Sequence, residues 1–414
     1  MDVDAAPSTN GPRPDLDRSS PEPLAPWLSA TAFPERPIDA PFGYMQGDKP
    51  VGCTYPELFW KIARDKDDTI RLVWAPEHDR FVVPEEVPTL FLAVKMRAEA
   101  HNKRSLWSTA LWAAVLSLPT LLNASSSSNS SSITGRNWQV GLLLLLMVGV
   151  FPAAQTLWEL RKLKSYTPEK MAAQSVHARY IAWISKRNAW TTIGIACGLL
   201  LIALFEVFVA FSTFWKDVPS PIEAAGLVKS AVREGEWWRL VTAEMLHANL
   251  WHIIFNLTAL YVLGTLVERV GARAYVSLVF LVSAVTASLF SVALVPDTTS
   301  IGASGAIMGL LGFAVVLSYL RKEAMPGPSR RAMLVSLGLI AALGLFGAGI
   351  IDNAAHLGGF LGGAGLGLLL VNRREKTLPL SPPRYIDLLG WAATATLVAF
   401  ALFGVWRMAQ SLTQ

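Results

Sequence analysis

The sequence predicts an all-α polytopic membrane protein, and three observations carry that prediction. The chain of 414 residues is 52% hydrophobic and 16% charged, with a mean hydropathy of +0.38, too apolar for a soluble protein of this length. Apolar runs of roughly 18 to 25 residues recur from position 105 onward, each able to cross a hydrocarbon core of about 30 Å as a helix. Lys and Arg gather in short loops beside these runs, so the net charge of +5 reads as membrane topology and no nucleic-acid partner is expected. Cys53 lies in a polar region and Cys197 inside an apolar run, so the two should not meet, and neither a disulfide nor a zinc framework is expected.

The elements follow in order. Residues 1–40 open MDVDAAPSTNGPRPDLDRSSPEPLAPW, acidic and Pro-rich where a secretory signal would be basic and then apolar, and without the Arg bias of a transit peptide. A disordered, uncleaved tail is expected. Residues 41–104 read as a small soluble α+β module. Thr54 and Glu57 have capping-box spacing at the start of TYPELFWKIARD. TIRLVWA and RFVVP flank the turn residues 76–79 as a hairpin, and TLFLAVKMRAEAHNKR reads as a helix. His78 and His101 are expected to be exposed and without partners, and nothing names a partner for the module.

Apolar runs then fall at 105–123, 138–158, 190–215, 250–267, 272–295, 303–320, 332–350, 354–371 and 386–406, which gives about nine spans. The first two, within 105–158, precede a basic linker at 159–189. The Ser-rich segment 123–135 is a flexible connector, whose NAS and NSS triplets matter only in a eukaryotic secretory setting. Arg97, Lys103 and Arg104 precede the first span, and Arg161, Lys162, Lys164 and Lys170 follow the second, which puts both regions in the cytoplasm. Counting spans from there places Arg269, Arg273, Arg321, Lys322, Arg373 and Arg374 on the same inner side and the 216–249 loop outside.

Under this topology the runs beginning at Ser304 and near His356 both start at the outer surface, which places the two side chains at one depth. An ionisable histidine in a span is costly unless it faces a cavity or a partner. Gly359 and Gly363 lie on the His356 face of their helix, and Gly305, Gly309 and Gly312 make a matching stripe after Ser304. Such stripes let two backbones approach closely and can bring serine and histidine within hydrogen-bond reach. A serine activated by histidine also needs donors for its oxyanion. HANLWHIIFN begins another span from the outside and supplies His252 and Asn256 on one helical face, with His247 nearer the loop and suited to holding it. A metal site would be the rival use of these histidines, but the segment lacks the HExxH arrangement, so no metal or other cofactor is expected.

These residues resemble the rhomboid intramembrane serine proteases. The GxSG motif stands as Gly302, Ala303, Ser304 and Gly305, the H-x4-H-x3-N pattern as His247, His252 and Asn256, and the A-H-x2-G-x3-G pattern as Ala355, His356, Gly359 and Gly363. The Trp-Arg pair of the family's first outer loop is matched by Trp238 and Arg239, and its acidic position near the inner end of the second core helix by Glu268. Where many relatives carry an aromatic residue four positions after the serine, this chain has Met308, whose thioether can still contact a ring. The resemblance implies a six-helix core over 190–372, a seventh helix within 373–414, and a Ser304–His356 dyad without a triad acid that cleaves the transmembrane segments of single-span or multi-span proteins. The expected location is a bacterial inner membrane with the N-terminus in the cytoplasm. A catalytically silent relative that binds transmembrane clients is the alternative, but such a protein would be expected to lack Ser304 or His356. A transporter would show inverted repeats, and the sequence has no repeat.

Overall fold

The computed structural model describes residues 25–37, 40–125, 141–142, 145–214, 218–295, 298–346, 351–372 and 378–413. The N-terminal module is built on a hairpin that the sequence reading missed. Strands β1 (Phe42–Gln46) and β2 (Lys49–Cys53) pair antiparallel from Phe42↔Cys53 to Gln46↔Lys49, and the chain reverses through Gly47 at φ 61°. Helix α1 (Tyr55–Ala63) follows where expected, with Glu57 accepting the Thr54 backbone N–H at 2.8 Å. The hairpin expected between TIRLVWA and RFVVP shrinks to the two-residue β3 (Val73–Trp74) and one bridge, Val73↔Val82. The reason lies at both strands: β1 takes one side of β3, and Pro84 ends the second run by opening a 3-10 turn. Leu58, Ile62, Val73, Val87, Leu90 and Met171 form the module's core.

Two further expectations about the polar region are corrected. The disordered tail does not extend to residue 40, because Trp27 packs against Tyr180 and Trp183, with ring centroids 4.9 and 5.5 Å away. Arg179 holds the same segment by donating to the carbonyls of Trp27 (2.6 Å) and Ser29 (2.8 Å) while pairing with Glu86. Residues 1–24 of the expected tail lie outside the described residues. Each histidine meets half of its expectation: His101 is exposed but its Nδ1 lies 3.2 Å from the Lys66 carbonyl, and His78 Nδ1 makes no hydrogen bond among the described residues but the residue is half-buried.

The rest of the chain is helical. Helix α2 (Phe91–Ser125) runs without a break from the module into the first apolar run. The second run is described only in part, as a π-helical turn Leu145–Val150 leading into α3 (Phe151–Lys164), and most of the Ser-rich connector lies outside the described residues. Helix α4 (Pro168–Ser185) carries Arg179 back against the module. Then come α5 (Trp190–Ser212), α6 (Leu250–Val270), α7 (Arg273–Leu294), α8 (Ser304–Leu320), α9 (Gly327–Phe346), α10 (Asn353–Leu370) and α11 (Arg384–Thr413). Among the described residues, α5, α6, α7, α10 and α11 are long and apolar enough to cross a membrane, and α8 is a shorter apolar helix. The protein is therefore a polytopic, mostly helical membrane protein with a small N-terminal β-sheet module.

Helix α10 is gripped from two sides. A Cβ added to Gly359 or Gly363 would lie 1.9 Å from the carbonyl oxygens of Gly305 and Gly309 on α8, while one added to Gly362 would lie 2.2 Å from Thr286 Oγ1 on α7. No side chain fits between such backbones, so the glycines set the separation of the helices. At the other end of the bundle Glu268 accepts hydrogen bonds from Thr191 N (2.9 Å), Thr192 N (2.8 Å) and Thr192 Oγ1 (2.7 Å), capping α5 from a neighbouring helix.

Candidate active site

The site begins with a turn that only glycine can make. Gly302 has φ 120°, donates its N–H to the Ala243 carbonyl at 2.9 Å, and has no room for a side chain, since an added Cβ would fall 2.5 Å from His252 Cε1. The turn delivers Ser304 as the first residue of α8. His356 lies in the first turn of α10, whose start is fixed by Asp352: its side chain accepts the Ala355 N–H at 2.9 Å and its carbonyl accepts the His356 N–H at 3.1 Å. The two helices meet so that His356 Nε2 is 2.9 Å from Ser304 Oγ, within hydrogen-bond range.

The predicted donors stand on the far side of Gly302. Asn249 caps α6 by accepting the His252 N–H at 3.0 Å, and His252 Nδ1 in turn accepts the Ala248 N–H at 3.4 Å. An accepting Nδ1 makes Nε2 the protonated nitrogen of a neutral ring, free to donate. That Nε2 would be 2.6 Å from an added Gly302 Cβ, and Asn256 Nδ2 would be 3.7 Å from the same point. The Asn256 amide is buried and makes no hydrogen bond among the described residues. His247 packs edge-on to His252 with centroids 5.2 Å apart, and its backbone N–H donates to both oxygens of Glu206 at 3.0 and 3.2 Å. Burial, and then the neighbouring His252, push the His247 imidazole down to about 3, so it is neutral.

The remaining predicted residues surround this cluster. Arg239 donates from Nη1 to the carbonyls of Glu223 (3.0 Å) and Gly226 (2.7 Å), pairs with Glu236, and lies 4.5 Å over the Trp238 ring. Trp238 packs edge-on against Phe403 of α11, so the pair folds the outer loop and pins it to the last helix. Met308 is buried in the main core. Glu268 lies far from the cluster, at the α5 start. Several polar residues near the site escaped the sequence reading. Asp352 accepts from Ser300 Oγ (2.7 Å) and from Ser291 Oγ, tying α10 to α7 and to the loop before Ser304. Glu206, the acidic residue of an otherwise apolar span, was a legible signal, because a carboxylate in a span needs a reason. Among the described residues no group of three or more His, Cys, Asp or Glu is placed to hold a metal ion.

Comparison with known proteins gives the chain a family. A profile of the family described as "Rhomboid domain" matches residues 234–373. The chain is 34% identical over 146 residues to the "Putative rhomboid protease YdcA" of Bacillus subtilis (strain 168), an alignment covering 35% of this chain and 73% of that protein. The chain belongs to the rhomboid family. This rhomboid is also 36% identical over 143 residues to "Rhomboid protease GluP" of the same organism, and 34% identical over 157 residues to "RHOMBOID-like protein 6, mitochondrial" of Arabidopsis thaliana. These alignments take in 34% and 37% of the rhomboid chain but 28% and 50% of those two relatives. Residues before 234 fall outside the family match.

Proposed function

We propose that this rhomboid is a serine endopeptidase that cuts transmembrane segments of other membrane proteins, with Ser304 as nucleophile and His356 as general base. The observation that carries the reading is the 2.9 Å separation of His356 Nε2 and Ser304 Oγ. Ser304 Oγ bonds to the scissile carbonyl carbon as its proton passes to His356 Nε2, and the carbonyl oxygen takes the negative charge. His252 Nε2, the Asn256 amide and the Ser304 backbone N–H surround the position where that charge forms. The intermediate collapses by breaking the C–N bond, and the amine leaves with the proton held by His356. Water then repeats the sequence on the acyl-enzyme, with His356 again as base, and frees Ser304. A substrate helix must unwind locally first, since an intact helix hides its carbonyls in its own hydrogen bonds.

The same reading treats 190–372 as the six-helix catalytic core and 373–414 as its seventh-helix extension. It places the site toward the outside of a bacterial plasma membrane, with the N-terminal module in the cytoplasm. Co-expression with a panel of tagged single-span proteins tests the chemistry: Ser304→Ala and His356→Ala should each abolish cleavage while the enzyme stays in the membrane, and a chelator should change nothing. Normal turnover by Ser304→Ala would remove the proposal. In a background lacking Cys53 and Cys197, Thr413→Cys should react with an impermeant thiol reagent in intact cells and Lys66→Cys should not, and the opposite pattern would reverse the orientation.

A further inference from the structure

The nucleophile's helix begins without a cap of its own. The N-cap position of α8 is Ala303, whose side chain can accept nothing, so the first-turn N–H groups need an acceptor from elsewhere. Glu244, some sixty positions earlier in the outer loop, supplies it. Its Oε2 accepts the Ala306 N–H at 3.1 Å, the third-residue donor that a Ser or Asp N-cap would normally take. The side chain is buried. The fit is close, since a Cβ added to Gly305 would lie 3.0 Å from Glu244 Oε1 and 2.5 Å from Ala287 Cβ. The residue beside it completes the clasp, because the Ala243 carbonyl accepts the Gly302 N–H at 2.9 Å. Residues 243–244 therefore hold both sides of Ser304, one bond before it and one after.

We infer that Glu244 is a positioning residue for the nucleophile: its carboxyl caps α8 from the outer loop and so fixes the Ser304 hydroxyl against His356 and the Ser304 backbone N–H toward the oxyanion site. A displaced first turn would move both groups at once, and they act in the transition state more than in substrate binding. Burial pushes the Glu244 carboxyl up to about 8, against the pull of the Ala306 hydrogen bond, so at neutral pH the protonated acid prevails. A neutral acid caps the turn without setting a negative charge beside the forming oxyanion. The cap thus depends on an oxygen at this reach and not on charge.

The inference rests on Ser304 being the nucleophile, and the experiment separates the two. Purified enzyme is titrated with a fluorophosphonate that bonds to an activated serine, and kcat and KM for a transmembrane substrate are expressed per titrated site. Glu244→Gln keeps an oxygen in place and should match the wild type within about twofold. Glu244→Met removes the acceptor at similar volume, and Glu244→Asp withdraws it by one methylene. Both should lower kcat per titrated site about tenfold, the scale of losing a helix cap, with KM within twofold. If Met at this position prevents folding, the Asp and Gln variants still decide. Equal kcat per titrated site in all variants would show a merely structural role and overturn the inference, as would a Gln variant as slow as the Asp one. Failure of the wild type to label at Ser304 would instead remove the nucleophile assignment itself.

Discussion

Two contacts in this molecule use the same residue for opposite ends. Between α8 and α10 the glycines abolish space: an added Cβ on Gly363 would lie 1.9 Å from the Gly309 carbonyl oxygen, and one on Gly312 would lie 2.3 Å from that of Phe360. Between α5 and α11 they create it. Gly194 and Gly198 have nothing within 4 Å of an added Cβ, and they line a cavity of about 730 Å³ with Leu199, Trp391, Thr394 and Leu397. In sequence the two stripes look alike, as GIACGLL and GGFLGGAG. The difference is that one stripe meets a second stripe and the other does not. Where glycine faces glycine, backbones touch and the helices are held at one separation and register, as a pair of reacting groups on two helices requires.

The largest effect should come from breaking the tight contact. Gly363→Val forces a branched side chain into the Gly309 backbone, and we expect loss of cleavage together with loss of folded protein on a detergent gel filtration column. Gly363→Ala should be a graded version, destabilising by about 1–3 kcal/mol, as overpacked sites do. If its cleavage per folded molecule equalled that of the wild type, the α8–α10 spacing would not be what holds Ser304 and His356 together.

An intermediate effect is expected where the loose side is anchored. Helix α5 is fastened at its start by Glu268, and Glu268→Ala leaves the buried Thr192 N–H and hydroxyl without an acceptor, a cost of about 1–3 kcal/mol. The thermal midpoint should fall, while the rate per folded molecule should stay close to that of the wild type because the Ser304–His356 contact lies at the opposite end of the bundle. The smallest effect belongs to the cavity. Gly198→Leu fills open space and adds a better helix former, so stability should stay within about 1 kcal/mol of the wild type and cleavage should persist. A Gly198→Leu variant as damaged as Gly363→Val would show that the two stripes do not differ as described.

How much of this was legible in the sequence follows from the range over which each signal acts. The apolar runs that become α5, α6, α7, α10 and α11, the capping box at Thr54 and the glycine stripes beside Ser304 and His356 are local or periodic signals, and these helices, the cap and the Ser304–His356 contact are present in the structure. The β1–β2 hairpin was missed because FGYMQ and KPVGC are short and carry three prolines or glycines between them, which mask the alternation of a strand. The packing of Trp27 was missed because a single aromatic residue in a Pro-rich tail shows no periodicity. Glu244, Glu206 and Asp352 were missed as parts of the site because their partners lie on other elements, and a carboxyl that caps a distant helix has no spacing to reveal it. They were visible all the same as acidic side chains within or beside apolar runs, each buried or tied by hydrogen bonds in the fold.

The central claim is that the closeness of α8 and α10 makes Ser304 nucleophilic through His356. Labelling with a fluorophosphonate, mapped to the residue by peptide mass spectrometry, measures that directly in the folded enzyme without any choice of substrate. The account predicts a single modified residue, Ser304, with no labelling in Ser304→Ala and a rate lowered at least about a hundredfold in His356→Ala, the scale of losing a positioned general base. Labelling at another serine, or an unchanged rate at Ser304 in His356→Ala, would contradict it.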